Sequence, residues 1–360
     1  MAPFISICIP AYNAAGYLRQ CLDSALAQTF SDFELVLVDN ASSDETFAIA
    51  QEYTRRDARV RVFRNPENVG VGGNWNRGID LARGEWLKFL CADDWLEPAC
   101  LARLSAAVRP GVGLVICRER LAFSDDVTEA EKEKHLKYWA EHSLLPRRFP
   151  GRSFFPAHEF ASLVAEDPAF NCIGAPNAIM IHRDALARFG RRNPRLITHD
   201  DWELCARIGV HTGLCYVDEP LANFRQHAAA LSMTEYARHR FSMDVLAPLI
   251  IRHEVAFAPV YAPVREAALR RRPPIRLDYQ LVDAVRAAEL LVDQFAQDPV
   301  RPDPEARRDW HETLRNYPRM RDVPAGYAVA KNWSRIKRAV GRLADHSGSR
   351  LHSRATATRS

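Results

Sequence analysis

Four short apolar runs alternate with helical stretches over roughly the first 90 residues, and this alternation restricts the fold more than any other feature of the chain. Residues 4–9 (Phe-Ile-Ser-Ile-Cys-Ile) form an apolar run halted by Pro10, as expected of a buried strand. Leu18, Leu22, Ala25 and Leu26 then recur at helical spacing. Residues 34–38 (Glu-Leu-Val-Leu-Val) read as a second strand ending at Asp39-Asn40, and Ser42 with Glu45 fits a capping box for a helix through Tyr53. Residues 60–63 give a third strand, followed by a turn at Asn65 to Asn68 and a Gly/Asn-rich helix start; residues 85–90 give a fourth. Repeated strand–helix units predict a mostly parallel sheet flanked by helices. Ligands of such sheets bind beyond the carboxyl ends of the strands. Here those ends carry Pro10-Ala11-Tyr12-Asn13, Asp39-Asn40 and Asp93-Asp94.

The last of these is unusual chemistry for a strand end. Two adjacent carboxylates repel, and burying them without compensation costs several kcal/mol. A divalent cation with a phosphorylated ligand on its far side would provide that compensation; a solvated turn is the plainer alternative. The commonest phosphate-binding fingerprints are missing. A dinucleotide site needs Gly-x-Gly-x-x-Gly straight after the first strand, where this chain has Pro-Ala-Tyr-Asn. Gly70, Gly72, Gly73 and Gly78 follow the third strand at other spacings, and there is no Walker-type loop.

Composition narrows the class further. The chain has 360 residues, 47% apolar and 26% charged, which suits one large domain plus an appendage, or two domains. A net charge of +4 does not indicate a nucleic-acid binder. Arg270-Arg271-Arg272 and the stretch from Lys331 to Arg359 are basic; either a solvated helix face with a frayed tail or contact with anionic lipid would account for them. The eight cysteines include no Cys-x-x-Cys pair, and Cys8, Cys117 and Cys215 lie in apolar runs, so they read as reduced core residues rather than a zinc site. No apolar run reaches the length of a membrane span, and the start lacks the basic region of a signal peptide, so the expected location is the cytoplasm, with peripheral contact to the inner face of the membrane through the basic end as an extension of that expectation.

The middle is less regular. Residues 124–142 read as an exposed helix or excursion, 177–182 and 212–217 as strands, and Asp200-Asp201 as acids starting an amphipathic helix after Thr198-His199. Helices are expected over 235–257, 277–297, 303–316 and 332–344, separated by breaks such as Pro273-Pro274.

Taken in order, these segments resemble glycosyltransferase family 2, the inverting enzymes with the GT-A nucleotide-diphospho-sugar transferase fold. The resemblance covers about residues 4–230 and rests on Ile-Cys-Ile-Pro-Ala-Tyr-Asn at the start, Val-Asp39-Asn40-Ala-Ser-Ser-Asp44, Asn68-x-Gly70-x-x-x-Asn74-x-Asn76-x-Gly78 with Ala82-Arg83-Gly84-Glu85, and Ala-Asp93-Asp94. It implies a catalytic domain over 1–232, a helical region over 233–345 and a basic tail over 346–360. It implies a donor that is a nucleoside diphosphate sugar, UDP- or dTDP-linked in preference, a hydroxyl acceptor (saccharide, lipid-linked or small molecule) and Mg2+ or Mn2+ as cofactor; a homo-oligomer is compatible with it. Asp94 would bind the metal, and Asp93 the ribose or the metal through water. Asp39 would bind the nucleoside, with Pro10, Ala11 and Tyr12 lining the base pocket. Asn13 is either a donor contact or a helix cap. Asn74 joins the donor list, although it and Asn76 also suit a structural role in the Gly-rich turn. Phe224-Arg225-Gln226-His227 with Ser232 resembles a further family segment, in which His227 approaches the diphosphate or metal and Arg225 holds the phosphates. The resemblance puts the catalytic base in the Asp200-Asp201 pair, Asp201 in the first place. Gly174 to Asn177 would face the acceptor. Trp75, Trp95 and Trp202 suit either sugar stacking or packing. A nucleotidyltransferase, and a non-catalytic sugar-nucleotide-binding relative, are the alternatives.

Overall fold

The computed structural model describes residues 2–142, 144–196, 198–230, 240–329 and 331–346. They form two compact units, one of residues 1–161 and 170–227, the other of 162–169 and 228–360.

The first unit is built on a sheet of nine strands: β1 (Ile5–Ala11), β2 (Phe33–Asp39), β3 (Val60–Arg64), β4 (Trp86–Phe89), β5 (Trp95–Leu96), β6 (Leu114–Phe123), β7 (Phe154–Phe155), β8 (Ile179–His182) and β9 (Leu214–Gln226). The order is β3-β2-β1-β4-β8-β6-β9-β5, with β7 on β9. Its helices are α1 (Ala15–Leu26), α2 (Thr46–Arg56), α3 (Gly70–Leu81), α4 (Cys100–Ala106), α5 (Glu129–His142), α6 (Leu144–Arg148), α7 (Ala157–Glu166, which runs into the second unit), α8 (Arg183–Phe189) and α9 (Asp200–Thr212).

β1 to β4 pair in parallel, whereas β8 runs antiparallel to both β4 and β6. β6 and β9 are again parallel. The start of β8 therefore lies at the same edge as the ends of β1, β2, β4, β6 and β9. β2 is buried at every position, as a strand covered on both faces must be.

Several expectations shift in detail. β1 continues through Pro10 to Ala11, because β4 pairs only as far as Cys8 and leaves no partner there that needs a Pro10 N–H. Ser42 and Glu45 form no capping box. The 42–46 loop instead caps α1: Ser42 Oγ accepts from Asn13 N, Thr46 Oγ1 from Ala14 N and Asp44 Oδ2 from Ala15 N, at 2.9, 2.7 and 3.0 Å. Asp44 Oδ1 accepts from Thr46 N at 3.0 Å and so serves α2 as well. Asn13 is consequently not the cap of α1. β9 runs nine residues past the expected end at Val217, and β6 was not anticipated, since its second half is polar (Arg118-Glu119-Arg120).

At the opposite edge of the sheet, Ser6 Oγ donates to Glu34 at 2.7 Å, and the N–H groups of Arg83 and Gly84 bond Glu34 and Ser6 at 2.7 and 2.8 Å. A Cβ on Gly84 would lie 2.5 Å from Ser6 N and 2.8 Å from Ile5 C, both backbone atoms that cannot yield. Gly84→Ala is therefore expected to destabilise the protein by about 1–3 kcal/mol in urea unfolding, the usual scale of overpacking.

In the second unit a single turn of π-helix (Ser242–Leu246) leads into Ala247–Phe257, followed by helices Ala262–Arg270, Leu277–Ala296, Ala306–Asn316 and Trp333–His346. The helix at 262–270 was not expected, being short and set between proline breaks; residues 231–239, which include Ser232 and the start of the expected 235–257 helix, lie outside the described residues. Phe241 packs edge-on to Phe295 and Trp310 at 5.5 and 6.2 Å, and its N–H donates to buried Asp303 at 2.8 Å. Asp283 accepts from Tyr327 Oη at 2.7 Å and pairs with Arg335 at 2.9 Å. The helix 333–346 turns Ile336 and Ala339 inward and leaves Lys337 and Arg338 exposed. Among the described residues no single helix is long and apolar enough to cross a membrane.

Candidate active site

Parallel register brings Ala11 beside Asp39 at the ends of β1 and β2. Asp39 is fully buried. Its Oδ2 lies 3.1 Å from Arg64 Nε and accepts from Ser42 N at 3.3 Å, while Oδ1 has no partner. A buried carboxylate oxygen without a donor is costly, and a nucleobase N–H or ribose hydroxyl would satisfy it. Tyr12, which follows Ala11 in the chain, is 51% exposed, and Pro10 is partly buried. Asn13 is exposed with φ 49°, and its Oδ1 accepts from Ser43 N at 2.9 Å. Asn74 does not reach this surface. It is buried, accepting from Asn65 at 3.0 Å and donating to Val38 O at 3.0 Å. Asn65 and Asn68 also bond Asn40, at 2.8 Å each, so these asparagines tie the β2 and β3 loops together. The donor contact expected of Asn74 gives way to a brace.

Beyond β4 the chain turns through Leu90-Cys91-Ala92, with Asp94 N donating to Cys91 O at 3.1 Å. Asp94 is 1% exposed. Its Oδ2 accepts from Asn177 Nδ2 at 3.0 Å and its Oδ1 from Arg225 N at 2.8 Å. Burial, and then the charge of Asp93, raises its pKa well above the usual carboxylate range. Asp93 is more open, and its Oδ2 lies 3.2 Å from His227 Nε2. Among the described residues neither carboxylate has a lysine or arginine partner. Ligand atoms of Cys91, Asp93 and Asp94 fall within 4.8 Å of one another. A buried carboxylate beside a partly buried one, with no lysine or arginine side chain on either among the described residues, fits a divalent cation, whose charge would reverse the rise in the Asp94 pKa. Cys91 was not anticipated as a neighbour of this group.

Arg225 is placed differently from its expected phosphate-holding role. Its guanidinium sits over the rings of Tyr17 and Trp95, 4.9 and 4.6 Å from their centroids. It donates to Asp93 O at 2.8 Å and to Gln20 Oε1 at 2.5 Å. Arg225 therefore braces the acidic turn from both its side chain and its N–H. His227 is buried with its ring 4.3 Å from that of Tyr17, and its Nδ1 is unpartnered.

Lys88, fully buried in the middle of β4, donates to the carbonyls of Asn177 and Phe89. It thus fixes the residue that fixes Asp94. Glu119 on β6 takes the Ala175 N–H at 3.0 and 2.9 Å on its two oxygens. Gly174 adopts φ 94°, and a Cβ there would collide with the Glu119 carboxylate, so this position requires glycine. Burial raises the Glu119 pKa well above the usual range; the Ala175 N–H opposes this, and the charges of Cys117 and Asp201 add to it. Asp94 also feels the Glu119 charge, so Glu119 interacts with both Asp94 and Asp201. Lys88 and Glu119 were not singled out in the sequence, and Asn177 only as the end of the loop expected to face the acceptor, whereas its side chain bonds Asp94.

Asp200 and Asp201 open α9. Asp200 is buried and pairs with buried Arg192 at 2.8 Å. Asp201 is half-buried, and its Oδ1 accepts from Trp202 N at 2.7 Å. Burial and the Asp200 charge push its pKa up to about 6, against the pull of Arg192. Glu203, two positions on, is bound to Arg207 at 2.9 Å. Trp202 is buried, packing edge-on to Phe160 at 6.2 Å, and Trp75 is buried against Phe89 at 5.0 Å. Both are packing residues, and Trp95 belongs to the Arg225 clamp.

The family model for glycosyl transferase family 2 matches residues 6–167. An uncharacterised protein of Mycobacterium tuberculosis is 33% identical over 236 residues, 64% of this chain and 70% of that one. The putative glycosyltransferase EpsH of Bacillus subtilis is 37% identical over 123 residues, 34% of this chain and 36% of its own length, so the chain spans about a third of that relative. Among solved structures, S. aureus TarS in complex with UDP-GlcNAc aligns with a TM-score of 0.56 at 15% identity, covering 96% of this chain and 89% of that one. The mannosyltransferase PcManGT of Pyrobaculum calidifontis, in complex with GDP-Man and Mn2+, aligns with a TM-score of 0.53 at 15% identity, covering 96% and 87%. With these relatives and the GT-A sheet described above, the chain belongs to glycosyl transferase family 2.

Proposed function

We propose that this chain is a metal-dependent, inverting glycosyltransferase that moves a sugar from a nucleoside diphosphate to a hydroxyl acceptor. The observation that carries this reading is the Asp93–Asp94 pair, Asp94 buried and Asp93 partly so, with no lysine or arginine side chain on either among the described residues, at the strand ends that also present Asp39. Asp94 and Asp93, with His227 at their edge, would hold Mg2+ or Mn2+, which when bound neutralises charge developing on the leaving diphosphate. Asn177 and Arg225 N–H hold the Asp94 carboxylate in one orientation. Asp39 Oδ1 offers the acceptor for a nucleoside donor group, and exposed Tyr12 a face for the base. Asp201 takes the proton of the attacking acceptor hydroxyl. Its pKa of about 6 leaves it ionised at neutral pH yet more basic than an ordinary aspartate. Asp200, bound to Arg192, serves as its neighbour and not as the base. The UDP-GlcNAc bound by TarS and the GDP-Man and Mn2+ bound by PcManGT support a nucleotide-sugar donor.

The test is a panel of UDP-, dTDP- and GDP-sugars with Mn2+ or with EDTA, read first by thermal shift. A donor at ~100 times its dissociation constant should add about 2.7 kcal/mol of stability, and only with the metal. Turnover should then release free nucleoside diphosphate and yield a product of inverted anomeric configuration. Release of pyrophosphate would instead support a nucleotidyltransferase, and retained configuration would overturn the assignment of Asp201.

A further inference from the structure

Arg192 is a charged residue that neither the sequence motifs nor the proposed transfer accounts for. It precedes α9 by eight residues and is only 2% exposed. Asn76 holds its backbone from both sides, accepting from Arg192 N at 3.1 Å and donating to Arg192 O at 3.0 Å. Its guanidinium lies 4.4 Å from the Trp75 centroid and 5.1 Å from that of Phe89. One nitrogen, Nη1, reaches Asp200 Oδ2 at 2.8 Å, while Nε and Nη2 have no hydrogen-bond partner. A guanidinium loses its charge under no ordinary condition, so this is a permanent cation. It is fixed by two aromatic rings and an asparagine beside a pair of adjacent aspartates.

We propose that Arg192 is a positioning residue of the transfer reaction: its caged guanidinium holds Asp200 as a standing counter-ion, so that Asp201 alone is left to accept the acceptor's proton. This rests on the reading of Asp201 as the base. Adjacent carboxylates at a helix start would otherwise compete for one proton, and the pair would titrate as a unit. The ion pair breaks that symmetry. Asp200 is buried against Arg192; Asp201, half-buried, feels two opposed charges, Asp200 raising its proton affinity and Arg192 lowering it. The other groups around Asp201 are Glu119 on β6, and Glu203 and Cys205 on α9, with His199 just ahead of the helix. Glu203 is paired with Arg207, and the Cys205 thiol is held protonated by burial. Arg192 is therefore the cation that tunes the site.

The test is the pH profile of kcat/KM at saturating Mn2+, on the full chain, with each variant's fold checked by circular dichroism and thermal unfolding. Arg192→Met should move the acid limb upward by about one pH unit, the usual effect of losing an opposite charge at this range. Arg192→Lys should restore most of the shift. Asp200→Asn should move the limb downward by about one unit. An unmoved limb in folded Arg192→Met, or an upward shift in Asp200→Asn, overturns the proposal. If Arg192→Met does not fold, Asp200→Asn alone decides by its direction. Full turnover in Asp201→Asn would instead refute the base assignment on which the proposal stands.

Discussion

Asp94→Asn is expected to lower kcat/KM by about 10³-fold, the scale on which removing a preorganised electrostatic stabiliser acts. The change is isosteric, and one oxygen remains to accept from Arg225 N or from Asn177. The charge is what disappears. Burial and the Asp93 charge already disfavour that charge in the folded protein, so the variant should unfold at the same temperature or higher. Metal and donor affinity should fall together if, as proposed, the diphosphate is presented through the metal. Titration of the variant with Mn2+, followed by electron paramagnetic resonance, separates this from misfolding: a folded protein that no longer takes up the ion is the expected result. Full Mn2+ affinity with lost turnover would move Asp94 from the metal to some other role.

Asp201→Asn should cost about 10²–10⁴ in kcat, the range for a general base, while leaving the donor KM and Mn2+ affinity as they are. The two variants are thus expected to fail differently, one in binding and the other in chemistry. Wild-type activity should halve near pH 6 and be about tenfold lower at pH 5, since the base must be ionised and its pKa lies near 6. That acid limb should be absent from the residual activity of Asp201→Asn. A limb that persists unchanged would assign the titration to another group.

The strands that carry the donor side were legible because each is short and apolar, and because polar residues lie at or just beyond their ends: Asn13 after β1, Asp39 at the end of β2, Asp93 and Asp94 after β4. Asp39, Asp93 and Asp94 could be placed at one edge from alternation alone. Asp201 needed the family resemblance, since a charged helix start is favourable anywhere. What could not be read is set by contacts between distant positions. Lys88 sits in Trp-Leu-Lys-Phe as any outward residue of a strand might, and only the antiparallel entry of β8 puts Asn177 over its amine. Glu119 lies in a polar half-strand whose partner, the Ala175 N–H, is 56 residues on. Arg192 looked like one of three arginines in a loop until Trp75, Phe89 and Asp200 closed around it. The capping box failed for a related reason: Ser42, Asp44 and Thr46 do cap helix donors, but chiefly those of α1, about thirty residues earlier.

Calorimetric titration of UDP, and in parallel GDP, into the protein with Mn2+ or with EDTA tests most directly whether the aspartate pair presents a diphosphate through a metal. The account predicts saturable binding of at least one nucleotide with Mn2+, lost both in EDTA and in Asp94→Asn. Equal affinity with and without the metal, or unchanged binding by Asp94→Asn, would contradict it.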